Sequence, residues 1–270
     1  MFNGINLIVF LMCIMPAILY SLIIYFHGPK DSIKKKPSIT YLYTGLLSTT
    51  ILSFVFLLFP NIRSDMFNIY IGRSYINGVL VDVYLKTMAT VMFYAFVQVA
   101  LFEEMCKFVA LKLNDYSRGK RRKDLDSPYA IMFYCALVSG AFAIMESIDY
   151  TYRTMRGEFG FFVTPKEVLF IRTFTAVLMH MVSGVFMGYF IALAKGQNLA
   201  TKVVLNIFGI ITASLAHGLY DYVLMKPTSD VIYLTPTLYI QSTSMFLLCV
   251  YMLLAYIASN NLKKRSFIKC

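Results

Sequence analysis

Seven ionisable side chains stand where an apolar environment should exclude them. Glu103, Glu104 and Lys107 fall inside one long apolar run, Glu146 inside the next, His180 inside a third, and His217 with Asp221 inside a fourth. An Asp, Lys or Arg at the centre of a membrane helix costs about 2.5–3.5 kcal/mol on insertion scales, so each such residue is a functional hypothesis in its own right. Spacing sharpens the hypothesis. Glu103 and Lys107 are one helical turn apart, as are His217 and Asp221, so each pair shares a face and is expected to interact. Glu104 is turned by about 100° from Glu103, so the two acids cannot enter one narrow cleft equally well. One is expected to do the chemistry and the other to support it. Carboxylates and imidazoles held out of water can perform acid–base work on a water molecule. Two His and one Glu also match the three-ligand set of a catalytic zinc with one position open. A third use of the same groups is a proton relay across a membrane.

The elements that position these groups are read from hydropathy. The chain has 270 residues, of which 59% are hydrophobic and only 14% charged, against roughly 25% charged in soluble domains. An ordinary soluble enzyme is excluded, and the surplus apolar surface must face lipid. Apolar runs of spanning length lie at Ile5–Phe26, Tyr41–Phe59, about Thr87–Leu113, Tyr129–Tyr150, Leu169–Ala194, Val203–Met225 and Leu238–Ala258. They predict an all-α polytopic membrane protein of about seven helices. The first run reads as an uncleaved anchor, because no small-x-small cleavage site follows it. Between the second and third runs, Asn61–Leu80 has room for a short interfacial helix.

The formal charge of +11 resolves into topology. Sixteen basic residues fall on one set of alternate loops and the C-terminal tail, including Arg118, Lys120, Arg121, Arg122 and Lys123, against eight on the other set. By the positive-inside rule this puts the N-terminus outside and the C-terminus in the cytoplasm. No nucleic-acid partner is required. The cysteines, Cys13, Cys106, Cys135, Cys249 and Cys270, form neither a disulfide framework nor a Cys-x-x-Cys metal site. His180, Gly184 and Gly188 make one stripe whose small residues let a neighbouring helix approach closely. Together these spacings predict one polar site shared by four helices.

At these residues the chain resembles the PrsW family of intramembrane proteases. The family pattern is met as Glu103-Glu104-x-x-Lys107, Phe142-x-x-x-Glu146, Arg172 followed by His180, Gly184 and Gly188, and His217-x-x-x-Asp221, in order on four consecutive runs. Two positions depart from it: Ser147 stands where the family often has Asn, and Asp126-Ser127-Pro128-Tyr129 replaces an Asp-Gly start. A more distant similarity leads to the prenyl-protein proteases that cut CAAX tails. The resemblance divides the chain into 1–100, N-terminal transmembrane helices and an outer loop; 101–225, a catalytic four-helix core; and 226–270, a last helix with a basic cytoplasmic tail. It implies a multi-pass protein of a bacterial cell membrane that hydrolyses a peptide bond in a membrane-anchored substrate of the anti-sigma-factor kind.

On that reading Glu103 takes the proton from water, and His180 and His217 stabilise the oxyanion. Asp221 positions His217, and Glu104 and Glu146 orient these groups or supply the leaving-group proton. Lys107, Arg172, Gly184 and Gly188 are structural supports, with Lys107 expected to pair with Glu103. No cofactor is needed; the alternative is zinc held by Glu103, His180 and His217. A proton or ion transporter and a non-catalytic membrane scaffold are the rival classes. The first lacks paired Gly/Pro-broken spans in the two halves, and the second is disfavoured by the Glu103-Glu104 pair.

Overall fold

A computed structural model describes residues 4–29, 32–33, 35–59, 69–76, 79–85, 88–119, 127–156, 165–225 and 235–267. Helices α1 (Gly4–His27) and α2 (Lys35–Leu58) precede a hairpin of β1 (Ile69–Ile76) and β2 (Val79–Leu85). The next helix, α3, runs through Met88–Phe93, a π-helical stretch Tyr94–Leu101, and Phe102–Arg118. Then come α4 (Pro128–Met155), α5 (Pro165–Phe174), α6 (Ala176–Leu193), α7 (Leu199–Met225) and α8 (Thr235–Phe267). Among the described residues five helices are long and apolar enough to cross a membrane: Pro37–Leu58, Pro128–Met155, Phe170–Leu193, Leu199–Leu224 and Thr243–Arg265. With α1 and α3 they match the seven apolar runs, so the chain is an all-α polytopic membrane protein in its frame.

The expectation of a short helix in Asn61–Leu80 does not hold for its described part, which forms an antiparallel hairpin, with Ile69 opposite Leu85, Ile76 opposite Val79 and an irregular register between Tyr70 and Gly72; 61–68 lie outside the described residues. The cause is composition: Val79, Val81, Val83 and Tyr84 on one strand and Ile69, Tyr70, Ile71, Tyr75 and Ile76 on the other are β-branched and aromatic residues that favour extended backbone. Residues 60–68, the basic stretch 120–126 and Cys270 lie outside the described residues. Cys13, Cys106, Cys135 and Cys249 are free thiols.

Local sequence accounts for the helix ends that aim the site. Ser127 caps α4 by accepting from the Ala130 N–H at 3.0 Å, with Pro128 in the first helical position, where a missing N–H is harmless. This is the segment that replaces the Asp-Gly start. Between α6 and α7 the chain turns through Gly196, whose φ of +79° suits a residue without a Cβ, and Asn198 then caps α7 through the Thr201 N–H at 2.8 Å. Thr175 separates α5 from α6; its hydroxyl donates back to Ile171 O at 2.8 Å and accepts from Tyr220 of α7 at 2.6 Å.

Two helices form the centre. In α4 and in Phe170–Leu193, 72% of the most apolar stretch is buried inside the protein, against 22% in α2, α7 and α8. The outer helices turn residues such as Phe54, Leu57, Phe208, Phe246 and Leu253 outward, a coat that suits hydrocarbon rather than water. Close approach at the centre depends on the glycine stripe. A Cβ on Gly184 would stand 2.8 Å from Cys135 O, and one on Gly188 would stand 2.7 Å from Met132 Cα, so both positions hold α6 directly against the backbone of α4. Far from the ionisable cluster, Tyr41 of α2 stacks on Tyr134 of α4 with centroids 4.5 Å apart and donates to Asp115 of α3 at 2.7 Å. His27, the third histidine, ties α1 to α8 through Asn260 at 3.0 Å.

Candidate functional site

Glu103 and Glu104 open the regular part of α3, Glu146 comes from α4, Arg172 from α5, His180 from α6, and His217 with Asp221 from α7. The fold brings all of them together. The two imidazoles meet edge to face, with centroids 4.7 Å apart and planes at 81°. Phe142 walls one side, 5.5 Å from the His180 ring and 4.3 Å from Lys107 Nζ.

The imidazoles present different nitrogens to two different surroundings. On one side, Lys107 Nζ donates to Glu104 Oε1 at 2.7 Å and lies 3.0 Å from His180 Nδ1. His217 Nδ1 is 3.0 Å from the same Glu104 oxygen, and Ser183 Oγ donates to it at 3.0 Å. Lys107 and Glu104 are both fully buried. Glu104 Oε1 thus carries three contacts, while its Oε2 has no hydrogen-bond partner among the described residues. An ammonium has donors only, so Nδ1 of His180 accepts and Nε2 carries the ring proton.

On the other side, the Nε2 atoms face carboxylates. His180 Nε2 is 2.6 Å from Glu146 Oε2, and Arg172 Nη2 is 2.8 Å from that oxygen. The Arg172 guanidinium also lies 4.1 Å over the Tyr150 ring. His217 Nε2 stands between Asp221 Oδ2 at 3.3 Å and Glu103 Oε2 at 3.8 Å. Glu103 Oε2 is buried without a hydrogen-bond partner among the described residues. Glu103 and Glu146 open onto a cavity of about 330 Å³ between α2, α3 and α4, lined also by Ser53, Phe142, Asp149 and Tyr150.

One expected pair is corrected. Lys107 binds Glu104, three residues before it, and not Glu103, four before it. Both spacings permit contact on a helix; His180 on α6 decides between them by drawing Nζ to its own Nδ1. The His217–Asp221 pair forms as its spacing predicts. Ser183 was not foreseen. It stands one turn after His180, where its hydroxyl reaches Glu104, and a polar residue three positions from a buried histidine was the signal available.

Ligand-capable atoms of Glu103, His180 and His217 lie within 4.8 Å of one another. The unpaired Glu103 oxygen and a His217 nitrogen between two carboxylates fit a cation at this place. A family model described as PrsW family intramembrane metalloprotease matches residues 39–257. The chain belongs to this family. It is 28% identical over 142 residues to Protease PrsW of Oceanobacillus iheyensis, covering 53% of this chain and 59% of that protein. To Protease PrsW of Bacillus subtilis it is 28% identical over 144 residues, covering 53% and 60%. The aligned part therefore spans less than two thirds of either relative. No solved structure matches the chain. The family's description and the Glu103, His180 and His217 cluster fit the metal alternative.

Proposed function

We propose that this protein is a metal-dependent intramembrane protease that hydrolyses a peptide bond of a single-pass membrane protein, with anti-sigma-factor-like proteins as the substrate class, in a bacterial cell membrane. The observation that carries the reading is the convergence of Glu103, His180 and His217 beside a cavity inside a membrane-spanning bundle. Glu103, His180 and His217 would hold zinc. Bound there, zinc supplies a water nucleophilic at neutral pH and polarises the scissile carbonyl.

Every other part is work for the protein's own side chains. Glu103 and His217 fit as donors in their present positions; His180 would join them through Nε2 by passing that proton to Glu146 while Lys107 Nζ gives one to Nδ1, so that the ring stays neutral. Glu104 and Lys107 hold the two rings from the Nδ1 side, as outer hydrogen bonds commonly orient metal-binding histidines. Asp221 steadies His217. Glu146 lines the cavity, so it is placed to carry a proton to the leaving amine, and Arg172 orients it. Water activation by Glu103 without a metal is the reading that the test must separate. Co-expression with candidate single-pass proteins should give a shortened product with wild type and none with Glu103→Gln. A membrane-permeant chelator should abolish cleavage and added zinc restore it; cleavage that persists through chelation sinks the metal assignment.

A further inference from the structure

Gln98 lies within the π-helical stretch of α3, five residues before Glu103. It is 6% exposed, and its Nε2 is buried with no hydrogen-bond partner among the described residues. A primary amide withdrawn from water with idle N–H groups is costly unless a partner arrives. Gln98 lines the same cavity as Glu103 and Glu146.

The backbone explains how it gets there. In a regular α-helix Tyr94 and Glu103, nine positions apart, would point about 180° from each other, and Gln98 and Glu103 about 140°. Tyr94, Gln98, Val99 and Glu103 nevertheless all face this cavity. The π turn closes a residue onto the one five further on, which aligns Tyr94 with Val99 and turns Gln98 towards the side of Glu103. Gly218 of α7 fixes the stretch in place, because a Cβ there would stand 2.9 Å from Phe96 Cα.

We infer that Gln98 is a substrate-binding residue whose amide donates to a backbone carbonyl of an unwound substrate segment lying in this cavity. The inference rests on the protease reading. A helical segment has its carbonyls paired internally, whereas a locally extended one offers a free carbonyl for each residue. The idle Nε2 donor and Glu103 on the α3 wall, with Glu146 on the α4 wall, suit such a strand. The donor selects for substrates that unwind near the cut.

The test is binding to the full-length Glu103→Gln protein in detergent, with and without Gln98→Met or Gln98→Glu. The probe is a fluorescent synthetic peptide of one apolar span broken by a central Gly-Ser-Gly. Each Gln98 variant is expected to bind about tenfold more weakly, the size of one lost hydrogen bond in a dry site. The same peptide without the break should bind all three proteins alike. Equal affinity of the broken peptide for parent and variants overturns the inference, as does a parent that fails to bind it. Cleavage of this peptide by wild type is read separately: binding through Gln98 without cleavage leaves the inference standing and removes the protease reading.

Discussion

Glu104 and Glu103 share a peptide bond, yet one is closed in beneath the two imidazoles by Lys107, Ser183 and His217, while the other looks into the cavity with an unpaired oxygen. The approximately 100° between neighbouring positions on a helix produces this split. Placed on the Nδ1 side, a carboxylate becomes part of the scaffold, because its charge is matched by a lysine that no solvent reaches. Placed on the Nε2 side, the same group stays available to a ligand. Adjacent identical residues thus meet different surroundings through direction alone.

The sharpest break of that contrast is Glu103→Gln, which should cut cleavage by roughly 10³-fold or more, as loss of an essential active-site group does, while protein level and thermal unfolding in detergent stay at wild type. Lys107→Met should do the reverse to the scaffold. It strands Glu104 as a buried charge, a change that typically costs about 3–5 kcal/mol, read as unfolding in denaturant; adding Glu104→Gln should recover much of the loss. Asp221→Asn removes a negative charge 3.3 Å from the His217 Nε2 that would hold zinc, so zinc affinity should fall about tenfold, the size of one charge-assisted contact, measured by competition with a chelating dye. Ser183→Ala is expected to be the mildest, at about 0.5–1.5 kcal/mol of stability, since Glu104 Oε1 retains two other partners. Equal activity loss in Glu103→Gln and Ser183→Ala would erase the distinction.

Periodicity within one helix was readable, and partners across helices were not. His217 and Asp221 could be paired on paper because four residues make one turn, and Gly184 and Gly188 announced a close helix contact through their lack of side chains. Lys107 had two acids within reach on its own helix, and the choice between them is made by His180, 73 positions away. Glu146 could be assigned to the site on paper, but its partners Arg172 and His180 come from two other helices. The hairpin is short and lies between long apolar runs that dominate the hydropathy, although the valines of β2 alternate as a strand requires. Nothing in Tyr94–Leu101 marks a π turn, since the same apolar residues serve an α-helix equally well.

That π stretch has a consequence for how the length of this chain can change. A helix that closes five residues per hydrogen-bonded turn holds extra chain compared with its α-helical counterpart, so losing a residue there is locally easy for the backbone. The register is less forgiving. Each residue removed rotates everything before it by about 100° relative to Glu103, swinging Tyr94 and Gln98 away from the cavity while the Glu103–Glu104 pair and its histidines stay intact. Relatives that differ by a single gap between Gln98 and Glu103 should therefore keep the Glu-Glu and histidine motifs and lose the wall formed by Tyr94 and Gln98.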